Sequence, residues 1–353
     1  MQKAGAGGAV PLIGFAGLTL ALALATAGVG QPKVEVVARG LQVPWSLAFT
    51  EDGRLLVTER PGRIRLVQNG RLETAPVATL SVAAQGEGGL MGLAVDPDFG
   101  QNGHLYVCYT ASRGGSAVNR VTRLTLRERA AGEERILLDG IPAAGIHDGC
   151  RLKFGPDGKL YVTTGDAANP QLAQHRDSLA GKILRLNRDG TVPGDNPFPG
   201  SPTYSLGHRN PQGLAWDSAR RLLAAEHGST AHDEVNHIQP GRNYGWPEVT
   251  GKGGAGRYVD PIIESGEETW APSGIAILDH HLFVAALRGQ RLLRIRLGPD
   301  LSVGHVDALL SGSYGRLRDV VVGPGGALFV TTSNRDGRGS PAADDDRVLR
   351  VTP

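Results

Sequence analysis

Arg151-Leu152-Lys153-Phe154-Gly155-Pro156-Asp157-Gly158-Lys159-Leu160-Tyr161-Val162 sets two short apolar runs on either side of a Pro-Asp-Gly turn. Gly158 can take the positive φ that such a turn needs, so the stretch reads as a β-hairpin. The same unit recurs five more times. First runs stand at Ser46–Phe49, Gly92–Val95, Gly213–Trp216, Gly274–Ile277 and Asp319–Val322; their partners are Leu55–Val57, Leu105–Val107, Leu222–Ala224, Leu282–Val284 and Leu328–Val330. Equivalent positions lie about 45 to 62 residues apart, a period of propeller blades rather than of helical solenoids. Third strands are legible at Arg63–Val67, Lys182–Leu186 and Leu292–Ile295. The expected fold is therefore all-β: a six-bladed β-propeller of four-stranded antiparallel blades. The last repeat has three strands, ending at Arg347–Val351, and Val34–Val37 has no blade of its own. Pairing these N- and C-terminal strands would close the ring and remove its exposed edges.

Composition agrees with many tight turns: 51 Gly and 22 Pro in 353 residues, without a collagen period. A net charge of +2 with scattered basic residues argues against a nucleic-acid binder. Residues 1–30 carry Lys3, an apolar Ala/Leu/Gly stretch from Val10 to about Ala27 and small residues before Gln31. That pattern reads as a signal peptide cleaved near Ala25–Gly30, with an uncleaved anchor as the alternative. Residues 31–353 would then form one exported, periplasmic or secreted propeller domain without stable membrane insertion. Cys108 and Cys150 are the only cysteines and fall on neighbouring repeats, where a disulfide and two buried thiols are both open.

Strand direction sorts the loops. In an antiparallel meander, residues before a first strand and after a second strand share one face, and the hairpin turns share the other. The first face then collects Glu87, His147, Arg209, Asn210, Arg316 and Arg318 before first strands, with Asp166, Gly228, Ser229 and Arg288 after second strands. His147 and Asp166 come from one blade, so the carboxylate can fix the imidazole tautomer and leave the other nitrogen basic. Four arginines on one mouth imply an anionic ligand, and with no glycine-rich phosphate loop a polycarboxylate suits them better than a nucleotide. The acidic stretch around Asp233-Glu234 and nearby turn carbonyls suit Ca²⁺. Zinc is disfavoured, because His227, His232 and His237 stand five residues apart.

Gly88-Gly89-Leu90-Met91, His147 with Arg151-Leu152, Gly207-His208-Arg209-Asn210-Pro211-Gln212-Gly213, Asp233-Glu234 with Asn236, and Asn243-Tyr244-Gly245-Trp246-Pro247 occur in that order. Here the sequence resembles the soluble pyrroloquinoline quinone (PQQ) dependent glucose dehydrogenase and aldose sugar dehydrogenase family. The resemblance implies a six-bladed propeller that oxidises aldoses at the C1 hydroxyl to lactones. It implies His147 as the base, Asp166 as its orienting partner and Arg209 as the group stabilising charge on the reduced quinone. Glu87, Asn210, Arg288, Arg316 and Arg318 become PQQ contacts, Gly228 and Ser229 carbonyl ligands of a PQQ-bound Ca²⁺, and Glu234 with the Tyr244 main chain a second Ca²⁺ site. Implied partners are an aldose and an unidentified electron acceptor. Three positions depart from the family's usual residues: Arg288 for Lys, Ser229 for Pro and Glu87 for Gln, the last placing a carboxylate beside an anionic cofactor. Loops 114–116, 265–273 and 333–343 are expected to rim the mouth and, being short and Gly-rich, to admit many aldoses. The rival readings are a Ca²⁺-dependent lactonase, with acidic and amide side chains around one axial metal, and a non-catalytic propeller that binds a glycan or a protein.

Overall fold

The structure is a computed structural model in which residues 32–352, with 1, 2 and 5, are described; most of the expected signal peptide lies outside them. Six antiparallel sheets form the expected ring. Blade 3 shows the pattern: strands Gly149–Phe154, Leu160–Thr164, Lys182–Leu186 and Thr203–Leu206 pair in chain order. Blade 6 is made by Leu317–Val322, Leu328–Thr332, Val348–Thr352 and, from the other end of the chain, Lys33–Ala38. Val34 opposes Val351 and Val36 opposes Leu349, so the terminal strands clasp through apolar pairs. The hairpin glycines Gly53, Gly158, Gly325 and Gly326 all have positive φ.

Alternation places one face of each strand between adjacent sheets. Leu56, Leu66, Leu93 and Val107 pack blade 1 against blade 2, and Phe283, Leu292, Val320 and Val330 pack blade 5 against blade 6. The first strands pack on one another around the axis, from Pro44–Phe49 round to Leu317–Val322.

Every first strand breaks register near its mouth end: between Pro44 and Ser46, Leu90 and Leu93, Gly149 and Leu152, Pro211 and Gly213, Pro272 and Ile275, and Leu317 and Asp319. Such bulges re-aim side chains. In blades 1, 3 and 6 a threonine of the second strand secures the break: the Ser46, Arg151 and Asp319 amides donate to Thr58, Thr163 and Thr331 Oγ1 at 2.9–3.0 Å.

One of these residues fills the axis. Arg151 crosses from blade 3 to pair with Asp319 of blade 6 at 3.0 Å, and donates to Ser46 Oγ of blade 1 and the Gln212 carbonyl of blade 4. Its guanidinium lies 4.3 Å from the Trp45 ring centre. Gly274 makes room, since a Cβ there would lie 1.9 Å from Asp319 Oδ1. Beyond this plug a chamber of about 630 Å³ opens on the turn face, lined by Ala48, Ala94, Lys153, Ala215, Ala276 and Val321 among others.

Candidate active site

At the mouth, the chain entering blade 3 turns sharply at His147, whose φ is +63°. Gly165 accommodates it: a Cβ there would sit 1.8 Å from the His147 carbonyl oxygen. The His147 amide donates to Glu87 Oε2 at 3.0 Å, and the Gly149 amide donates to Asn210 Oδ1 at 3.1 Å. With the backbone fixed, the ring Nδ1 meets Asp166 Oδ1 at 2.7 Å. Asp166 is fully buried, takes the Trp246 indole N–H on Oδ2 at 2.8 Å and the Ala168 amide on Oδ1. A carboxylate so placed selects the Nδ1–H tautomer. Nε2 then carries the lone pair, and it has no hydrogen-bond partner among the described residues. The geometry is that of a held general base.

Neighbouring Asp148 is a different case. Burial pushes its carboxyl up to about 6, against the lowering bond from Asn119, and its Oδ2 is buried without a partner.

Arg209 follows blade 3. Its amide donates to Glu226 Oε2, its guanidinium lies 5.3 Å from the Trp246 ring centre, and Nη1 and Nη2 reach the His227 and Ser229 carbonyls at 3.5 Å. Trp246 thus touches both Asp166 and Arg209. Arg316 and Arg318 share the mouth, and a carboxylate of the protein already sits between them. Asp336 binds Arg316 through Nε and Nη2 at 2.9 and 2.8 Å and lies 3.7 Å from Arg318 Nη2. Arg318 also donates to Gln212 Oε1 at 2.8 Å, and burial brings its pKa down to about 9. Arg288 is exposed beyond the second strand of blade 5, with no ion pair or hydrogen bond among the described residues.

Several buried donors and acceptors at this mouth have no partner among the described residues: Nε of Arg60, Arg209 and Arg318, Nδ2 of Asn210 and Nε2 of His227. Buried polar groups are normally satisfied, so five orphans on one surface point to a ligand rich in oxygen. His227 is pushed down to about 4, chiefly by burial, and stays neutral near pH 7.

Among the described residues Glu87 bonds none of the four expected arginines, although its charge is felt by Arg209 and Arg318. Its Oε1 takes Arg338 Nη1 at 2.6 Å while Oε2 holds the His147 amide. Burial raises its pKa, but His227, the His147 amide and Arg338 outweigh that and bring it to about 2. The His227 contribution counts only when that ring is protonated. Near neutrality Arg338 and the His147 N–H do the holding.

Among the described residues no group of three or more His, Cys, Asp and Glu side chains is placed to bind a metal. The Gly228 amide donates to Asp233 Oδ1, and the Ser229 carbonyl faces Arg209. Glu234 begins the third strand of blade 4 and is buried, beside a small void that Arg209, His227 and Gly228 also line. It accepts from Gly251 N and Asn236 Nδ2, and burial beside the Glu226 carboxylate pushes it up to about 8. That void, of about 10 Å³, lies between Glu226, Glu234, Tyr244 and their neighbours, and Asn236 Oδ1 close by is unpartnered.

The Glucose / Sorbosone dehydrogenase family profile matches residues 41–341. The chain belongs to this family of oxidoreductases. It is 33% identical to the aldose sugar dehydrogenase YliI of Escherichia coli, over 91% of this chain and 93% of that one. Among solved structures, an oxidoreductase of Thermus thermophilus described as a glucose dehydrogenase is 50% identical with a TM-score of 0.87, covering 91% of this chain and 99% of that one. The PQQ-bound aldose sugar dehydrogenase of Streptomyces coelicolor is 42% identical with a TM-score of 0.85, covering 91% and 98%.

Within this member of the glucose/sorbosone dehydrogenase family, the sorting of loops by strand direction gathers His147, Asp166, Arg209, Asn210 and the blade 6 arginines, and leaves Arg288 exposed at the rim. It overlooks Arg60, although Arg60 follows the second strand of blade 1 (Leu55–Glu59), the place Asp166 occupies in blade 3. Asp336 and Arg338 belong to loop 333–343, which was expected to rim the mouth, but their pairings with Arg316 and Glu87, like the bond from Trp246 to Asp166, arise only on tertiary folding. The two cysteines are joined, Cys108 on the second strand of blade 2 and Cys150 on the first of blade 3, with Cα atoms 5.5 Å apart.

Proposed function

We propose that the chain oxidises aldose sugars at the C1 hydroxyl to lactones, with PQQ as hydride acceptor and Ca²⁺ as its companion. The observation that carries this reading is the His147–Asp166 pair, with a free Nε2, on the same mouth as the unpartnered donors of Arg60, Arg209, Asn210 and Arg318. Those donors, with Arg316, fit a ligand bearing three carboxylates and quinone oxygens. Bound there, PQQ would supply an electrophilic quinone carbon able to accept a hydride. His147 takes the C1 hydroxyl proton at Nε2; Asp166 and Trp246 keep the ring in the tautomer that can do so. Arg209 places fixed positive charge where negative charge develops. The Gly228 and Ser229 carbonyls suit a Ca²⁺ at the mouth. The Glu234 carboxyl, the Tyr244 main chain and the small void suit a second, because a cation would balance the carboxylate that Glu226 now opposes. Export, a single mature domain and an external electron acceptor complete the reading.

Reconstitution of the apoprotein with PQQ and Ca²⁺, followed by dye reduction across a panel of aldoses, tests it. Turnover with several sugars and lactone as product is expected. PQQ binding without turnover on any aldose would discard the substrate assignment. The lactonase alternative loses ground because the axis holds the Arg151–Asp319 pair rather than converging acidic side chains.

A further inference from the structure

We propose that Glu87 is a positioning residue for His147 and not a cofactor contact, and that Arg338 is the counter-charge that lets a carboxylate stand there. This rests on His147 being the base. Two bonds join the approaches to blades 2 and 3: the Glu87 amide donates to the Gly145 carbonyl at 3.0 Å, and Glu87 Oε2 accepts the His147 amide at 3.0 Å. They fix the chain that enters His147, the residue with positive φ, a conformation that neighbours must hold in place for a non-glycine residue. The approach is tight, for a Cβ on Gly86 would lie 2.1 Å from the Gly145 oxygen.

The other oxygen, Oε1, is taken by Arg338. Arg338 is itself set by blade 6: its amide donates to Asp336 Oδ1 at 2.9 Å, and Asp336 Oδ2 holds Arg316. A relay of contacts therefore crosses the mouth from Arg316 through Asp336, Arg338 and Glu87 to His147. An ionised carboxylate only accepts hydrogen bonds, so Glu87 has nothing to offer the carboxylates of an anionic ligand. A glutamine, usual here in the family resemblance, could serve both the amide of His147 and a ligand. In this chain the donor role falls to the orphaned arginines.

Four variants of the PQQ- and Ca²⁺-loaded protein test the assignment: Glu87→Leu, Glu87→Gln, Arg338→Met and the double variant that combines the last two. The expected outcome for Glu87→Leu is a kcat lower by about 10- to 100-fold, as for lost support of a functional histidine, with PQQ affinity by tryptophan-fluorescence titration unchanged within about twofold. Glu87→Gln should recover most of kcat, since its amide oxygen still accepts the His147 N–H. Arg338→Met should lower kcat in the wild-type background and add nothing to Glu87→Gln. A tenfold or larger loss of PQQ affinity in Glu87→Leu, or a Glu87→Gln variant as impaired as Glu87→Leu, would overturn the proposal. An activity-free readout accompanies these. In the apoprotein the downfield Nδ1–H proton resonance of His147, identified by its absence in His147→Ala, should persist in Glu87→Gln and broaden or vanish in Glu87→Leu; its persistence in Glu87→Leu would count against positioning. A fully active His147→Ala protein would instead reject the base reading itself.

Discussion

Two histidine–carboxylate pairs occupy equivalent places in adjacent blades. In blade 3 His147 precedes the first strand and meets Asp166 after the second; in blade 4 His208 precedes the first strand and meets Glu226 at the end of the second, at 2.8 Å. Each uses Nδ1. The difference is in the other nitrogen. His208 Nε2 bonds Ser205 Oγ at 2.8 Å, and the ring is fully buried and stacked 4.7 Å from Tyr244. His147 keeps 13% of its side chain exposed, with Nε2 unengaged. One repeat position has become a brace and, on the proposed function, the other a base, and the number of bonds to the second nitrogen separates them.

Replacing His147 by Ala should cost activity far more than stability: kcat falls by about 10³-fold, within the range for loss of a general base, while thermal unfolding shifts less than in His208→Ala, since the His208 ring is the one fully buried and stacked. Replacing His208 by Ala should do the reverse. It leaves Glu226 buried with a lost partner, so stability in urea falls by about 3 kcal/mol, and the folded fraction turns over normally. Parity of the two variants in both measurements would erase the distinction. A finer cut is Trp246→Phe, which keeps the ring beneath Arg209 and removes one donor to Asp166. The loss of a hydrogen bond to a charged group predicts a kcat about tenfold lower, with PQQ affinity retained.

The smallest effect concerns the clamp on the open pair. The folded-state pKa of Glu87, about 2, lies below its ordinary 4.5, so its contribution is complete above pH 4.5 and disappears as pH falls toward 2. Chemical denaturation should show below about 1 kcal/mol lost to this group by pH 4, and Glu87→Gln should lack that limb. An identical acid limb in the variant would remove Glu87 from the charge balance of the mouth.

The ring, its closure and the face that gathers the candidate site were legible because they follow from local periods: apolar alternation, Gly turns and strand direction. His147 and Asp166 were legible for the same reason, each lying within a few residues of a strand end. What escaped depends on long-range pairing. The axial salt bridge joins residues of opposite blades, and Arg338 reaches Glu87 from a loop, 333–343, that was expected at the rim but whose sequence does not say which of its charges pairs across the mouth. The register breaks also escaped, since a bulge leaves the composition of a strand unchanged. His208 stood in plain view inside the most specific motif, but the sequence did not say that Ser205 would occupy its second nitrogen.

Arg151, lodged across the axis, has a consequence for traffic. A ring with its bore stoppered is a cup with a single door. On the proposed activity, sugar, lactone and electron acceptor come and go across the same rim, and none can be delivered from behind while another is in place. Donor and acceptor then take turns, so initial-rate plots against sugar at several acceptor concentrations should run parallel.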